Sequence, residues 1–272
     1  MDQYAVMGNP VAHSKSPQIH ALFAAQTRQD MIYRAILVER GGLAGAVAEF
    51  SSAGGRGLNI TVPFKEDAWA LAHQRSVRAE RAGAVNTLVL HDRGRHFGDN
   101  TDGTGLVRDL CNNHGATLSG ARLLLVGAGG AARGVIEPLL QAGPELLVVA
   151  NRTSGKALEL ARNFCDLGHV EGCGLPDLEG QPFDIVINAT AASLAGEVPA
   201  LPGSVVTPRS WCYDMMYGDQ PTAFMEWAIA RGAARALDGL GMLVEQAAES
   251  FYLWREVRPD TAPVIAALRK RN

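Results

Sequence analysis

The chain has 272 residues, 47% of them hydrophobic, with 25 Lys and Arg against 28 Asp and Glu for a formal charge of −3. That length permits one large domain or two ordinary ones with a sizeable core, and a balanced charge with no basic block argues against nucleic acid or an anionic membrane as the main partner. The apolar runs fall far short of the ~20 residues of a membrane helix, and "MDQYAVMGNP" shows no cationic start followed by an apolar run, so no secretory signal is expected. Cys111, Cys165, Cys173 and Cys212 show no CxxC pairing and read as thiols in a reducing compartment. A cytoplasmic protein is expected.

In chain order, "YAVMG" is a short strand. "SKSPQIHALFAAQ" is a helix, with Ser16 as N-cap, Pro17 in the first helical position and Ile19, Leu22 and Phe23 on one face. "YRAILV" is a second strand, "GLAGAVAEFSSAGG" a helix ending in glycines, and "LNITV" a third strand. "KEDAWALAHQ" is a short helix, and "AVNTLVLH" a strand with "RHFGD" as its hairpin partner. Strands separated by helices indicate a mainly parallel α/β sheet.

A second cycle begins near residue 103. "DGTGLVRDLCNNHG" is a helix with Leu106, Val107, Leu110 and Cys111 on one side and Gly115 as its stop. "RLLLVG" (strand), "GGAARGVIEPLLQAG" (helix), "ELLVVAN" (strand), "SGKALELARNF" (helix), "FDIVINAT" (strand) and "WCYDMMY" (strand) follow as a doubly wound unit. The tail, "GLGMLVEQAAESFYLW" and "PVIAALRK", forms two helices that return to the first domain. The expected division is residues 1–102 plus 238–272 for a substrate-binding α/β domain, and 103–237 for a Rossmann-type dinucleotide-binding domain, with a cleft between them.

"LLLVGAGGAARG" carries the most specific nucleotide signal. Gly127, Gly129 and Ala132 match G-x-G-x-x-A directly after an apolar strand and at the opening of a helix, where free N–H groups and a partial positive charge suit a pyrophosphate. A plain tight turn is the bland alternative. NAD-selective proteins usually place an acid at the end of the next strand; here Asn151, Arg152 and Thr153 stand there instead. A guanidinium and a hydroxyl suit a 2′-phosphate, so NADP is expected over NAD, although Arg152 as a mere exposed residue capping the next helix is the competing reading.

Ser14 and Ser16, Asn59, Thr61 and Lys65, Asn86 and Thr87, and Asp102 fall where strands meet loops, which is where open α/β sheets bind ligands. Hydroxyls and amides suit a polyhydroxylated substrate, since each buried substrate hydroxyl requires a partner. Each also has an ordinary reading: the serines, Asn100 and Asp102 as helix caps, Asn86 as a turn residue. Lys65 as a solvated side chain would stand at a helix start, an unfavourable place for a cation. The seven histidines show no metal-ligand spacing, and no metal is expected.

"GNPVAHSKSP", "NITVPFKE", "AGAVNT", "GDNTDG", "GAGGAARG", "NRT", "CYDMMY" and "DGLGMLVEQAA" together resemble the shikimate dehydrogenase family, in the same order and over essentially the whole chain. The resemblance implies reversible NADPH-dependent reduction of 3-dehydroshikimate to shikimate on the route to chorismate and the aromatic amino acids. It implies Lys65 and Asp102 as a catalytic pair, directed into the cleft between the domains, and leaves open which of them delivers the proton. Ser14, Ser16, Thr61, Asn86 and Gln246 resemble the family's substrate-binding groups, together with Asn59 and Tyr217. Gly127, Ala128, Gly129, Gly130, Ala131, Asn151, Arg152, Thr153, Thr190, Met215 and Gly239 look like its cofactor contacts.

Two stretches depart from the family pattern: Ala191, Ala192 and Ser193 replace a small polar run after "NAT", and "GDQPTAF" follows Tyr217. The rival expectations are an enzyme of the same fold that oxidises quinate, with or without NAD, and a catalytically silent NADP-binding sensor. The paired serines and the acid-free "NRT" favour shikimate and NADP, and the intact Lys65 and Asp102 favour an enzyme. A monomer or homodimer is expected.

Overall fold

The computed structural model describes residues 1–91 and 94–270. The chain divides into two compact units, Met1–Gly105 with Val244–Asn272, and Leu106–Leu243.

In the first unit, β1 (Asp2–Gly8), α1 (Ser16–Thr27), β2 (Met31–Leu37), α2 (Leu43–Ser52), β3 (Gly55–Ile60), α3 (Lys65–Leu71), β4 (Gln74–Arg75), α4 (Val77–Ala82), β5 (Thr87–Val89) and β6 (Phe97–Asp99) follow in sequence. The sheet order is β2-β1-β3-β5-β6-β4. β1 runs parallel to both neighbours, and β5 is antiparallel to β3 and β6. β1 is covered on both faces, which explains why Tyr4 to Met7 read as an unbroken apolar run. The expected third strand stops at Ile60; Thr61 lies outside it and Val62 is 60% exposed. Neither α4 nor β4 was expected from the pattern, because "QRSVRAERAG" is too polar to show a buried face.

α1 begins one residue earlier than its capping pattern suggested. Lys15 occupies the N-cap position, and the Ser16 N–H donates to Ser14 Oγ at 3.2 Å. Ser16 is therefore the first helical residue rather than the cap, and its own hydroxyl is spent elsewhere.

The second unit opens with the later part of α5 (Asp102–Arg108), which widens into a π turn at Asp109–Asn113. It continues through β7 (Arg122–Val126), α6 (Gly130–Gln141), β8 (Leu146–Asn151), α7 (Ser154–Arg162), β9 (Val170–Gly174), β10 (Ile185–Asn188), β11 (Trp211–Asp214), α8 (Ala223–Ala230) and β12 (Arg235–Leu237). All strands are parallel, in the order β12-β11-β10-β7-β8-β9. Strand residues alternate between two cores: Leu123, Leu125, Leu147 and Val149 face one side, and Leu124, Val126, Leu146 and Val148 the other. From β7 the chain winds to one edge through β8 and β9, then returns beside β7 as β10 and winds to the other edge. The direction reverses between β7 and β10, where doubly wound sheets bind ligands. The edge strands β9 and β12 and the helix α8 were not expected from the sequence, and the strand predicted over "WCYDMMY" ends at Asp214.

Two final helices, α9 (Leu240–Arg255) and α10 (Ala262–Arg269), close the chain. Phe251 and Trp254 of α9 join an aromatic cluster with Phe23 and His20 of α1, Tyr33 of β2 and Tyr4 of β1. Gly57 in β3 is bare because the Trp254 indole lies on it: a Cβ there would stand 2.4 Å from Nε1. Among the described residues no helix is long and apolar enough to cross a membrane.

Candidate active site

The polar residues singled out in the first unit belong to two linked groups. Lys65 is the first residue of α3, with Glu66 and Asp67 in the same turn offsetting an unfavourable dipole. Its carbonyl accepts from Val85 N at 2.9 Å, which ties the start of α3 to the segment carrying Asn86. Its Nζ donates to Asp102 Oδ2 at 2.5 Å, the lysine side chain 21% exposed and the carboxylate 10%. This is a charge-assisted contact largely withdrawn from water but open on one side.

Asp102 is held from behind. Asn86 Nδ2 donates to its Oδ1 at 2.8 Å, and its own backbone N–H donates to Asn100 Oδ1 at 3.2 Å. Asn86 Nδ2 also lies 3.0 Å from Thr101 Oγ1 and 3.3 Å from Gln246 Oε1 on α9. Asn86 Oδ1 accepts from Thr87 Oγ1 and from Thr101 N. Lys65, Asp102, Asn86 and Gln246 thus converge from four elements.

Asn59 belongs to the layer beneath. Its amide donates toward Asn86 O, Thr87 Oγ1 and Ser250 Oγ, and its Oδ1 accepts from Tyr33 OH at 2.7 Å. The Ser16 hydroxyl lies within reach of the same Tyr33 phenol. Asn59 is 5% exposed with both ends of its amide engaged, so it orders the layer that supports Asn86. Thr61 sits just past β3, where its N–H donates to Met7 O and its methyl covers Gly8; a Cβ on Gly8 would come within 2.3 Å of Thr61 Cγ2. Tyr33 and Ser250 had no motif to mark them, and Thr101 stood inside "GDNTDG" without being singled out. Their signal was a hydroxyl at a position where the strand or helix pattern calls for an apolar residue.

In the second unit the glycine loop lies at the end of β7. Gly127 adopts φ +116°, and a Cβ there would press against Thr190 Cγ2 at 3.2 Å and the Ala189 carbonyl at 3.3 Å, so only glycine fits. Thr190, just past β10, is thereby placed against the loop. A Cβ on Gly129 or Gly130 would meet nothing within 4 Å. α6 has Gly129 as N-cap, no side-chain cap and no acid in its first turn. Its first intrahelical bond is Arg133 N to Gly129 O, so the helix itself supplies no acceptor for the N–H groups of Gly130, Ala131 and Ala132. Open space before uncapped helix donors fits a dinucleotide pyrophosphate.

Ala128 is buried beside Gly127. At the end of β8, Asn151 Nδ2 donates to Thr153 O at 3.0 Å, and Arg152 and Thr153 are exposed with no acid beside them. These residues fit a 2′-phosphate rather than a free 2′-hydroxyl.

The departure at Ala191, Ala192 and Ser193 is accommodated by a buried carboxylate. Asp214, 0% exposed at the end of β11, accepts from Ser193 Oγ at 2.5 Å, Thr222 Oγ1 at 2.7 Å, Asn188 Nδ2 at 3.1 Å and Met216 N at 3.0 Å. Thr190 Oγ1 donates to Asn188 Oδ1 at 2.7 Å. Asp214 therefore joins the segment carrying Thr190 to the one carrying Met215. Tyr217, half-buried in the loop before α8, has its phenol pushed above the usual range by burial. Gly239 packs on Met215, where a Cβ would stand 2.3 Å from the carbonyl oxygen. Among the described residues no group of three His, Cys, Asp or Glu is arranged to hold a metal.

Comparison with known proteins covers both units. The shikimate dehydrogenase substrate binding domain matches residues 6–88, the shikimate/quinate 5-dehydrogenase model residues 109–195, and the shikimate 5′-dehydrogenase C-terminal domain residues 239–269. The shikimate dehydrogenase (NADP(+)) of Alkalilimnicola ehrlichii is 60% identical over 268 residues, covering 98% of each chain. The crystal structure of an Ael1 enzyme from Pseudomonas putida is similar with a TM-score of 0.94 at 49% identity, over 98% of each chain. That of shikimate 5-dehydrogenase from Thermus thermophilus, in complex with NADP(H) and shikimate, gives 0.88 at 34% identity, over 99% of each chain.

Proposed function

The chain belongs to the shikimate dehydrogenase family, and from that membership we propose that its Lys65 and Asp102 serve the reversible, NADPH-dependent reduction of 3-dehydroshikimate to shikimate. The observation that carries this reading is the 2.5 Å contact between Lys65 Nζ and Asp102 Oδ2, open on one side and backed by Asn86. The first unit takes the substrate and the second the cofactor, and the work is done in the cytoplasm as a step toward chorismate and the aromatic amino acids.

NADPH, when bound, supplies the hydride that reduces the ketone, and NADP accepts it in reverse. Gly127 to Ala131 hold the pyrophosphate on the uncapped start of α6, Arg152 and Thr153 take the 2′-phosphate with Asn151 bracing their turn, and Thr190, Met215 and Gly239 border the same site. As the ketone is reduced, negative charge builds on its oxygen. The Lys65 ammonium is a charge and a proton donor at once, and stabilises that oxygen most in the transition state. Asp102 holds the ammonium in place through Oδ2 while Asn86 fixes Oδ1, so the Lys65–Asp102 pair provides the proton without first having to reorganise. Ser14, Ser16, Thr61, Asn86 and Gln246 receive the remaining polar groups of the substrate, with Tyr217 contributing from its own loop and Asn59 acting beneath Asn86.

Following nicotinamide absorbance with shikimate and NADP tests the assignment. The native chain turns over, and Lys65→Ala loses on the order of 10²–10⁴-fold in kcat with little change in substrate KM. Near-native turnover in that variant removes Lys65 from the reaction. Comparing kcat/KM for shikimate and quinate with each cofactor fixes the substrate, with shikimate and NADP expected to be preferred.

A further inference from the structure

Asp102 lies in a short polar segment whose two ends are gripped by one guanidinium. Arg78, on α4, donates from Nε to Asp99 Oδ1 at 2.7 Å and from Nη2 to Asp99 Oδ2 at 2.5 Å, a two-pronged pair on a carboxylate 3% exposed. From Nη1 it donates to Thr104 Oγ1 at 2.6 Å, on the far side of Asp102. Nη2 also stands 3.5 Å from Glu249 Oε1 on α9, one turn beyond Gln246. Asp99 in turn accepts from Asn100 N at 2.7 Å. The Asn100 side chain bonds Asp102 N on one side and, through Nδ2, Ala84 O at 3.1 Å on the other. A continuous line of bonds runs from Arg78 through Asp99 and Asn100 to the Asp102 backbone, and a second runs from Arg78 through Thr104.

We propose that Arg78 is a positioning residue for Asp102: its guanidinium staples Asp99 to Thr104 and so fixes where the Asp102 carboxylate meets Lys65. This rests on the assignment of Asp102 to the reaction. Arg78 has no role in contacting substrate or cofactor; it acts through the loop it closes. The planar fork explains why arginine stands here. Nε and Nη2 meet the two Asp99 oxygens side by side while Nη1 reaches Thr104, whereas a lysine ammonium is a single point at the end of a flexible stem and cannot hold Asp99 and Thr104 together. Burial opposes the charge of Arg78, and the Asp99 carboxylate together with Glu249 more than offsets it, so the guanidinium is held charged.

An ion pair that merely stabilises the unit and one that aims Asp102 differ in a measurable way. Arg78→Lys is expected to lower kcat about tenfold while leaving the KM for NADPH unchanged, because small displacements of a reacting group are costly. Combined with Asp102→Asn, it should cost nothing further: the double variant turns over within about twofold of Asp102→Asn alone, since a positioning residue has nothing left to position. Thr104→Val, which cuts the Nη1 arm and keeps the side chain's shape, is expected to lower kcat about threefold at an unchanged KM for NADPH. It carries the test if Arg78→Lys does not fold. Full multiplication of the two losses in the double variant overturns the proposal, and so does native kcat in both Arg78→Lys and Thr104→Val. Native turnover in Asp102→Asn alone is a separate failure, that of the active-site assignment itself.

Discussion

His20 is a buried histidine whose ring nitrogens make no hydrogen bond in the structure. It is 0% exposed, stacked on Tyr33 at 4.2 Å between ring centroids, and walled by Phe23, Phe251 and Trp254. Burial pushes the imidazole down to about 3, the Asn59 amide pulling more weakly the other way while its donors point at Asn86, Thr87 and Ser250. The ring is therefore neutral in the folded chain and acts as an aromatic plate. In the unfolded chain it takes up a proton below its ordinary 6.5, so between 6.5 and about 3 the unfolded state binds more protons. The stability His20 contributes is complete above that window and is lost as the pH falls through it, at up to ~1.4 kcal/mol per pH unit. His20→Phe keeps the stack and removes the proton. The difference in urea unfolding free energy between the native chain and His20→Phe should change steadily from about pH 6 to about pH 4; a constant difference would mean that the ring is charged or solvated in the folded state.

At the scale of elements, the start of α9 shows why "DGLG" holds two glycines that need no unusual dihedral. Gly239 lies on the Met215 carbonyl, and Gly241 on the Asp109 carboxylate, where a Cβ would come within 1.9 Å of Oδ1. Asp109 is 1% exposed and is held by Tyr213 OH at 2.6 Å and Asn113 Nδ2 at 2.9 Å, the latter across the π turn that ends α5. Gly241→Ala forces apart two buried elements and is expected to destabilise by ~1–3 kcal/mol in chemical denaturation; an unchanged midpoint would show that Asp109 can swing aside without loss. The same scale explains which elements the sequence pattern revealed. β7, β8 and β10 are buried on both faces and announce themselves as apolar runs, as does the amphipathic α6. β9 and β12 are short edge strands with half-exposed residues, and α4, which carries Arg78, is a polar turn and a half, so no periodicity marked them.

At the scale of the whole molecule, the two sheets have separate cores, and the proposed function gives each sheet its own ligand. A ligand that binds only the folded state stabilises by mass action, ~2.7 kcal/mol at a hundredfold excess over its Kd. NADPH is expected to raise the thermal midpoint more than NADH at equal concentration, as the proposed pairing of Arg152 with the 2′-phosphate requires. Arg152→Ala should raise the NADPH KM on the order of 10-fold or more, leave the NADH KM nearly unchanged, and equalise the two midpoint shifts, a charged hydrogen bond contributing roughly 1.5–3 kcal/mol. Equal losses for both cofactors would mean that Arg152 does not read the phosphate.

What the sequence determined by itself was local. The apolar strand running into Gly127 and Gly129, the absence of an acid at Asn151 to Thr153, and the polar residues at strand ends each follow from period, turn chemistry and charge within a few residues. What only the tertiary structure decided was which buried polar group meets which. Lys65 reaches Asp102 across 37 residues, and Asn86 reaches Gln246 across 160. Asn59 is directed into the layer beneath, and Arg78 closes the loop that holds Asp102. Those pairings depend on sheet order and on the return of α9, and a hydrogen bond between residues so far apart leaves no trace in the spacing of either.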